Sequence, residues 1–412
     1  MPAPEIVTFG CRLNAFESEI IRRAACEAGL SDVVIVNTCA VTAEAERQAR
    51  QAIRRARREH PGARIIVTGC AATLAPQLYA AMPEVDQVLD NQAKLRAENY
   101  LPNLGAIPSP RLRGEGSDAC GAEAGEGQGR VRAYLQVQQG CDHRCTFCII
   151  PSARGPSRSV LAEAVIREAR AMVETGAREI VLTGVDLTAY GADLPERPSL
   201  GALARRLLAE VPKLLRLRLS SLDPSEIDDE LWSLLAEEER LMPHLHLSLQ
   251  AGDDMILKRM KRRHTRAQAI AATARARAAR PDVAIGADLI AGFPTENEAM
   301  FRNSLGLIGD CGIAFIHVFP YSARPGTPAA RMPEVAPEIV RERAARLREA
   351  GAVALAAELR SRVGTVGEVL VEKPGSGRAG FYAGVECPPD VAGIRRMRFT
   401  GVAGGKLVGA PV

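Results

Sequence analysis

Three cysteines in eight residues constrain this chain more than any other feature. They lie in Gly140-Cys141-Asp142-His143-Arg144-Cys145-Thr146-Phe147-Cys148, with spacing Cys-x3-Cys-x2-Cys. A loop this tight can wrap three thiolates around one face of an iron–sulfur cube. Such a cube ordinarily takes four cysteine ligands, so a local run of three leaves one iron open. An open iron suits S-adenosylmethionine (SAM), whose amino and carboxylate groups can chelate it. One electron would then break a carbon–sulfur bond and release a 5′-deoxyadenosyl radical. The competing reading is a zinc site, which wants four ligands and commonly two Cys-x2-Cys pairs. No second pair follows, and His143 as fourth ligand would strain a closed tetrahedron.

The bulk composition narrows the setting. The 412 residues suffice for two or three domains. No apolar run reaches the roughly 20 residues of a membrane span, and the first residues carry no secretory pattern. Ten cysteines without an export signal favour a reducing, cytoplasmic setting over a disulfide framework. The net charge of +4 is modest, but it is unevenly spread. Arg47, Arg50, Arg54, Arg57 and Arg58 recur at helical spacing, and residues 258–266 hold a second dense basic run. Each could be a solvated face; together they suggest a polyanion such as RNA.

Residues 5 to 104 alternate aliphatic runs with helical patterns. Strands are expected at 6–9, 33–36, 64–67 and 85–89, with helices at 15–28, 42–59 and after Thr73. Unbroken aliphatic strands between helices predict a parallel sheet covered on both faces, of flavodoxin-like type. Gly10-Cys11, Asn37-Thr38-Cys39 and Gly69-Cys70 close the first three strands. Ligands bind at the carboxyl ends of such strands, so Cys11, Cys39 and Cys70 are candidates for a second three-thiolate cluster. Buried small hydrophobes are the alternative. Cys26, Cys120, Cys311 and Cys387 show no pattern and read as structural.

Residues 105–129 are rich in glycine and predict a flexible linker. From 130 to 361, six strands near 133–138, 179–183, 214–220, 244–249, 283–289 and 313–319 alternate with helices. That pattern predicts a partial (β/α)6 barrel with its chemistry at the strand carboxyl ends. Thr183, Gly184, Ser220, Ser221, Ser248, Gln250 and Gly292 fall there and are candidate SAM contacts. Glycines and serines after strands are also ordinary turn chemistry. Residues 362–412 read as short strands, near 366–371, 380–385, 394–401 and 406–408, of a small β-barrel made basic by Arg378, Arg395, Arg396, Arg398 and Lys406.

The run from Gly140 to Arg154 resembles the signature of the radical SAM superfamily. In that resemblance Cys141, Cys145 and Cys148 hold a [4Fe-4S] cluster, and Phe147 places its backbone near the adenine of SAM. With Phe9-Gly10-Cys11, Asn37-Thr38-Cys39 and Thr68-Gly69-Cys70, the chain resembles the methylthiotransferase family over nearly its whole length. The resemblance implies an auxiliary [4Fe-4S] cluster on Cys11, Cys39 and Cys70, and a C-terminal TRAM module, here short. Leu182 to Asp186, Tyr190-Gly191 and Arg259 to Arg263 look most like the branch that modifies N6-threonylcarbamoyladenosine in tRNA at C2. Other branches act on isopentenyladenosine in tRNA or on a ribosomal-protein aspartate. Also implied are two uses of SAM, a flavodoxin or ferredoxin as low-potential electron donor, and a monomer. Thr295 stands where relatives commonly carry glycine, a change to which the sequence attaches no function. A zinc-dependent RNA-binding protein without catalysis is the alternative from another class.

Overall fold

The computed structural model describes residues 4–100 and 131–412. The expected linker and Cys120 lie outside them. The described residues divide into two compact units. One holds residues up to Tyr100 together with Ile149–Gly155, and the other holds the remainder.

The first unit contains β1 (Glu5–Thr8), α1 (Arg12–Glu27), β2 (Val33–Thr38), α2 (Ala43–Glu59), β3 (Arg64–Gly69), α3 (Cys70–Leu74), α4 (Pro76–Ala80), β4 (Gln87–Val88) and α5 (Ile150–Arg154). The strands form a parallel sheet in the order β1-β2-β3-β4. The parallel sheet is as expected. Its order is simpler than a flavodoxin-like one, which would put β1 between β2 and β3. β2 is buried throughout, because both sheet faces are covered. Ile21, Ala24 and Ala25 of α1 pack on Val33, Ile35 and Ile66. Ile53 and Ala56 of α2 pack on Val34, Val36, Ile65 and Val67. The expected basic stripe on α2 is paired in part, and its Arg54 and Arg58 are exposed. Arg47 is paired with Glu44, and Arg57 reaches Asp86 and the Ala63 and Glu84 carbonyls.

The second unit opens with β5 (Arg132–Gln136), β6 (Gln138–Gln139), β7 (Arg158–Ser159), α6 (Ala162–Glu174), β8 (Glu179–Thr183), α7 (Leu200–Glu210), β9 (Arg216–Leu219) and β10 (Ser221–Leu222). It continues through α8 (Asp229–Glu237), β11 (His244–Gln250), α9 (Asp254–Met260), α10 (Arg266–Ala279), β12 (Ala284–Ala291), α11 (Glu298–Asp310), β13 (Ile313–Pro320) and α12 (Pro337–Arg362). Two parallel sheets, β5-β8-β9 and β10-β11-β12-β13, follow one another through Ser220 and make the partial six-position barrel. Side-chain caps set the helix starts: Ser199, Asp228, Asp253, Thr265 and Asn297 each accept a backbone N–H of the first turn. Leu245, Leu247 and Leu249 of β11 pack outward with the helices, so His244, His246, Ser248 and Gln250 face inward by alternation.

The chain ends in a closed barrel of β14 (Val366–Lys373), β15 (Ser376–Ala379), β16 (Gly384–Glu386), β17 (Gly393–Ala403) and β18 (Lys406–Pro411), ordered β14-β15-β16-β18-β17. The expected strand at 380–385 starts late: residues 380–383 form a turn after β15, with Tyr382 at φ 80°, and Gly384 and Val385 belong to β16. That turn carries Tyr382 onto the lower end of the larger barrel, where it stacks on His244 at 4.4 Å between ring centres. Arg218 lies 5.4 Å from the same ring.

Thr295 acquires a physical explanation. Its φ is 70°, a conformation that costs a β-branched residue about 1–2 kcal/mol. The hydroxyl compensates by accepting a 2.8 Å bond from Arg259 Nη1, a contact glycine would lose at about 0.5–1.5 kcal/mol. Thr295→Gly is therefore expected to leave stability within about 1 kcal/mol of the parent. Thr295→Val, which keeps the strain and loses the bond, is expected to cost about 1–2 kcal/mol. Urea denaturation of the pair distinguishes these outcomes.

Candidate functional site

In the first unit the three strand ends are brought into step by register. Thr8 lies opposite Asn37, and Thr38 lies opposite Gly69. Cys11 caps α1, Cys39 follows β2 directly, and Cys70 opens α3. The helix after β3 thus begins at the cysteine itself, ahead of the expected start beyond Thr73. Gly10 and Gly69 have φ of 99° and 97°. A Cβ on Gly10 would lie 2.7 Å from the Cys39 sulfur, and one on Gly69 would lie 2.3 Å from the Thr38 carbonyl oxygen. Both turns need glycine.

Buried polar side chains hold these loops. Asn14 Nδ2 donates to the Phe9 carbonyl at 2.7 Å and to the Thr38 carbonyl at 3.1 Å. Asn37 Nδ2 donates to the Asn14 carbonyl and to Ser18. Arg154 donates to Asn14 Oδ1 and to both Glu17 oxygens, and Lys94 donates to Glu17 at 2.7 Å. Asn91 Nδ2 approaches the Cys70 sulfur at 3.7 Å, and the Val41 N–H meets the Cys39 sulfur at 3.5 Å. Burial pushes the Cys39 thiol up to about 11, and Cys11 and Cys70 push in the same direction. The N–H donors to the Cys39 and Cys70 sulfurs suit thiolates in an iron–sulfur site.

In the second unit Cys141, Cys145 and Cys148 lie half-buried in the loop after β6. Asp186 Oδ2 is 3.5 Å from the Cys141 sulfur. Arg262 Nη1 is 3.6 Å from the Cys145 sulfur, while its Nη2 donates to Asp223 and to the Ser248 carbonyl. Burial and the neighbouring Asp186 carboxylate push the Cys141 thiol upward. His143, the fourth ligand of a zinc reading, turns Nε2 to Asp186 at 2.6 Å and toward Glu226 at 3.5 Å. Hydrogen bonds to these carboxylates push the imidazole up to about 10. A compact set of soft sulfur donors beside one guanidinium fits a negatively charged thiolate cluster.

The other sequence candidates are spread around this loop. Phe147 packs edge-on to Phe293 at 6.4 Å. Thr183 ends β8 buried, and a Cβ on Gly184 would meet Gln138 Oε1 at 2.9 Å. Ser220 is buried with no hydrogen-bond partner for its hydroxyl, and Ser221 pairs in register with His246. Gln250 sits at φ 68°, at a break in the β11–β12 register. Gly292 faces α12, where a Cβ would lie 2.5 Å from Val340, so its smallness serves packing. The basic run at 258–266 is largely consumed internally. Arg259 bonds Thr295, Arg262 bonds Asp223, Arg263 pairs with Glu226, and Arg266 pairs with Asp310.

Sequence reasoning passed over Asn14, Glu17, Asn91, Lys94, Gln138, Arg154, Asp186 as a neighbour of Cys141, and Arg262. Gln138 Oε1 accepts from the Val185 and Asp186 N–H groups and so fixes the loop that bears Asp186. Its signal was a polar residue within an apolar strand end.

Residues 135–308 match the Radical SAM superfamily model, and residues 4–90 match one described as Uncharacterized protein family UPF0004. The "Threonylcarbamoyladenosine tRNA methylthiotransferase MtaB" of Rickettsia prowazekii (strain Madrid E) is 51% identical, over 89% of this chain and 87% of its own. The protein of that name from Bacillus subtilis (strain 168) is 38% identical, over 82% of this chain and 78% of its own. A "tRNA-2-methylthio-N(6)-dimethylallyladenosine synthase" of Novosphingobium aromaticivorans is 38% identical, over 90% and 86%. Among solved structures, the radical S-adenosylmethionine methyltransferase TsrM from Kitasatospora setae shares the fold. Its TM-score is 0.52 at 14% identity, over 80% of this chain and 74% of that one. No described helix is long and apolar enough to cross a membrane. The identity along nearly the full length settles the family: this chain belongs to the radical SAM tRNA methylthiotransferases.

Proposed function

We propose that this protein adds a methylthio group at C2 of N6-threonylcarbamoyladenosine next to the anticodon of tRNA. The observation that carries the reading is the 51% identity over 89% of the chain to a relative named for that substrate. The radical SAM family implies a [4Fe-4S] cluster and SAM. In this reading Cys141, Cys145 and Cys148 hold that cluster, and Cys11, Cys39 and Cys70 hold an auxiliary one. Phe147, Thr183, Gly184, Ser220, Gln250 and Gly292 belong to the SAM pocket or its wall. When bound, the clusters and SAM supply the sulfur, the methyl group and the radical that an unactivated aromatic C–H requires.

The protein's own task is placement. Asn14, Asn37 and the buried charges around Glu17 tie the loops that would present these thiols to one cluster. Gln138 fixes the Asp186 loop, and Arg262 sets positive charge beside the Cys145 sulfur, where the cluster would sit. Exposed Arg395, Arg396 and Arg398 on the C-terminal barrel suit contact with tRNA phosphates. A flavodoxin or ferredoxin is the inferred electron donor, and the protein works as a cytoplasmic monomer.

Nucleoside mass spectrometry of tRNA from a deletion strain tests the reading. Loss of the methylthio form of threonylcarbamoyladenosine is expected, with the unmethylthiolated form accumulating. Loss of the dimethylallyl product would instead select the branch named in the Novosphingobium relative. Cys145→Ala is expected to abolish SAM cleavage, read as 5′-deoxyadenosine formed under dithionite. Full cleavage by that variant would refute the ligand assignment.

A further inference from the structure

Between the Tyr382 floor and the cysteine loop, the inner face of the larger barrel carries a polar cluster that the cysteine chemistry leaves unused. His246 Nε2 lies 2.8 Å from Asp288 Oδ1, and His317 Nδ1 lies 3.1 Å from the same oxygen. The three come from β11, β12 and β13, with Asp288 and His317 opposite one another in register. The two imidazole rings are 4.7 Å apart. Gly286 makes room for them, because a Cβ there would lie 2.5 Å from His246 Nδ1.

The exposures differ sharply. His246 is 2% exposed, Asp288 17% and His317 49%. Burial opposes ionisation of Asp288, yet the hydrogen bonds from both imidazoles hold its carboxyl well below the ordinary range. A carboxylate that accepts from both rings requires a proton on His246 Nε2 and on His317 Nδ1. The tautomer of His317 is thereby fixed, and Nε2 is the atom left for another partner. In the imidazolium form Nε2–H is a charged donor whose charge Asp288 balances.

The relatives' names define what must be told apart. Threonylcarbamoyl and dimethylallyl groups both hang from N6 of adenosine. The first ends in a carboxylate and a hydroxyl, and the second is hydrocarbon. C2 must face the sulfur chemistry, so the N6 substituent leaves the ring along a different wall. Three other cations of this barrel are already paired. Arg262 is held by Asp223 and Ser248. Arg132 and Arg218 are held by Glu179.

We infer that His317, oriented by Asp288 and His246, is a binding subsite for the carboxylate of the N6 substituent. This rests on the substrate reading above and names the residue that enforces it. Asp288 and His246 are positioning residues.

The test uses the full cluster-loaded chain with SAM and anticodon stem-loop RNAs, read by fluorescence anisotropy. The RNAs carry threonylcarbamoyladenosine, its methyl ester, or dimethylallyladenosine. A charge-assisted contact predicts that the parent prefers the acid over the ester by about tenfold or more. His317→Phe is expected to bind acid and ester alike, by weakening the acid. His317→Gln, which keeps a donor without charge, is expected to retain little of the preference. Iron content and melting temperature serve as folding controls, which an exposed position is expected to pass. If His317→Phe keeps the parent's preference, the inference is overturned while the substrate reading stands. If the parent fails to separate threonylcarbamoyl from dimethylallyl RNA, the substrate reading itself fails. A stoichiometric metal beyond the clusters that is lost in His317→Phe would make these side chains ligands and overturn the inference.

Discussion

A Cys39→Ala enzyme is expected to cleave SAM and form no methylthiolated nucleoside. Cys39 belongs to the first unit, whereas Cys141, Cys145 and Cys148 belong to the second. Losing one sulfur from the first set should not disturb the SAM-cleaving loop. Nor should it unfold the first unit. The loops there are tied by Asn14 to the Phe9 and Thr38 carbonyls and by Asn37 to α1, bonds that do not involve the sulfur. The two thiols left behind are a poor holder for a cluster that ordinarily takes four and would have three here. Purified anaerobically, the variant should therefore carry about four fewer irons per chain than the parent. It should form 5′-deoxyadenosine at a rate comparable to the parent and give no product by nucleoside mass spectrometry. Product at the parent's level would end the two-cluster account. Cys145→Ala supplies the reciprocal pattern, with cleavage lost and the irons of the first unit retained. Because the Cys39 thiol is pushed up to about 11 by burial, the iron-free protein holds it protonated at neutral pH. Loading must release that proton, so reconstitution should improve as pH rises.

Much of the scaffold was legible because it obeys local rules. Val33 to Val36 and Arg64 to Val67 read as buried parallel strands because few other structures hide such runs, and the cysteines after them inherit one sheet edge. The spacing of Cys141, Cys145 and Cys148 is itself the geometry of a tight loop. What escaped depends on partners far apart in sequence. Arg154 belongs to the recognised motif, but its partner Glu17 lies 137 positions earlier. Arg262 and Arg263 looked like a surface for polyanions until Asp223 and Glu226 were seen to bind them. Thr295 hides its meaning in a backbone angle. The alternation in His-Leu-His-Leu-Ser-Leu-Gln was visible in the sequence, and applied strictly it would have placed His244 and His246 beside Ser248 and Gln250 inside the barrel. The turn at 380–383 was missed because Phe381 and Tyr382 have strand propensity, whereas Tyr382 sits in a left-handed turn stacked on His244.

Glu17→Gln should destabilise the first unit far more than Lys94→Met, although each removes one partner of the same ion pair. The reason is the count of charges. Glu17 is completely buried between Lys94, also completely buried, and Arg154 at 1% side-chain exposure. Burial works against the Glu17 carboxylate, but Lys94 and Arg154 together hold its pKa below the ordinary 4.5. Removing the carboxylate strands two cations in the interior, a loss of about 3–5 kcal/mol. Removing Lys94 leaves the Glu17–Arg154 pair balanced and replaces a desolvated ammonium, whose pKa burial already lowers, with an apolar side chain. That change should cost about 1–2 kcal/mol or less. Urea denaturation of the iron-free full-length chain at neutral pH reads both, and equal losses would refute the charge count. The same balance fixes the pH response. A carboxyl held low in the fold contributes stability above its unfolded value and surrenders it as pH falls through the folded one. The parent should therefore lose stability on acidification below about pH 4.5, and Glu17→Gln, already deprived of the carboxylate, should show a flatter profile there. Arg154 also lies in the field of Cys70 and Cys11. Its surplus positive charge is thus best balanced when those sulfurs are thiolates, so cluster loading should recover part of the stability that Glu17→Gln forfeits in the iron-free state.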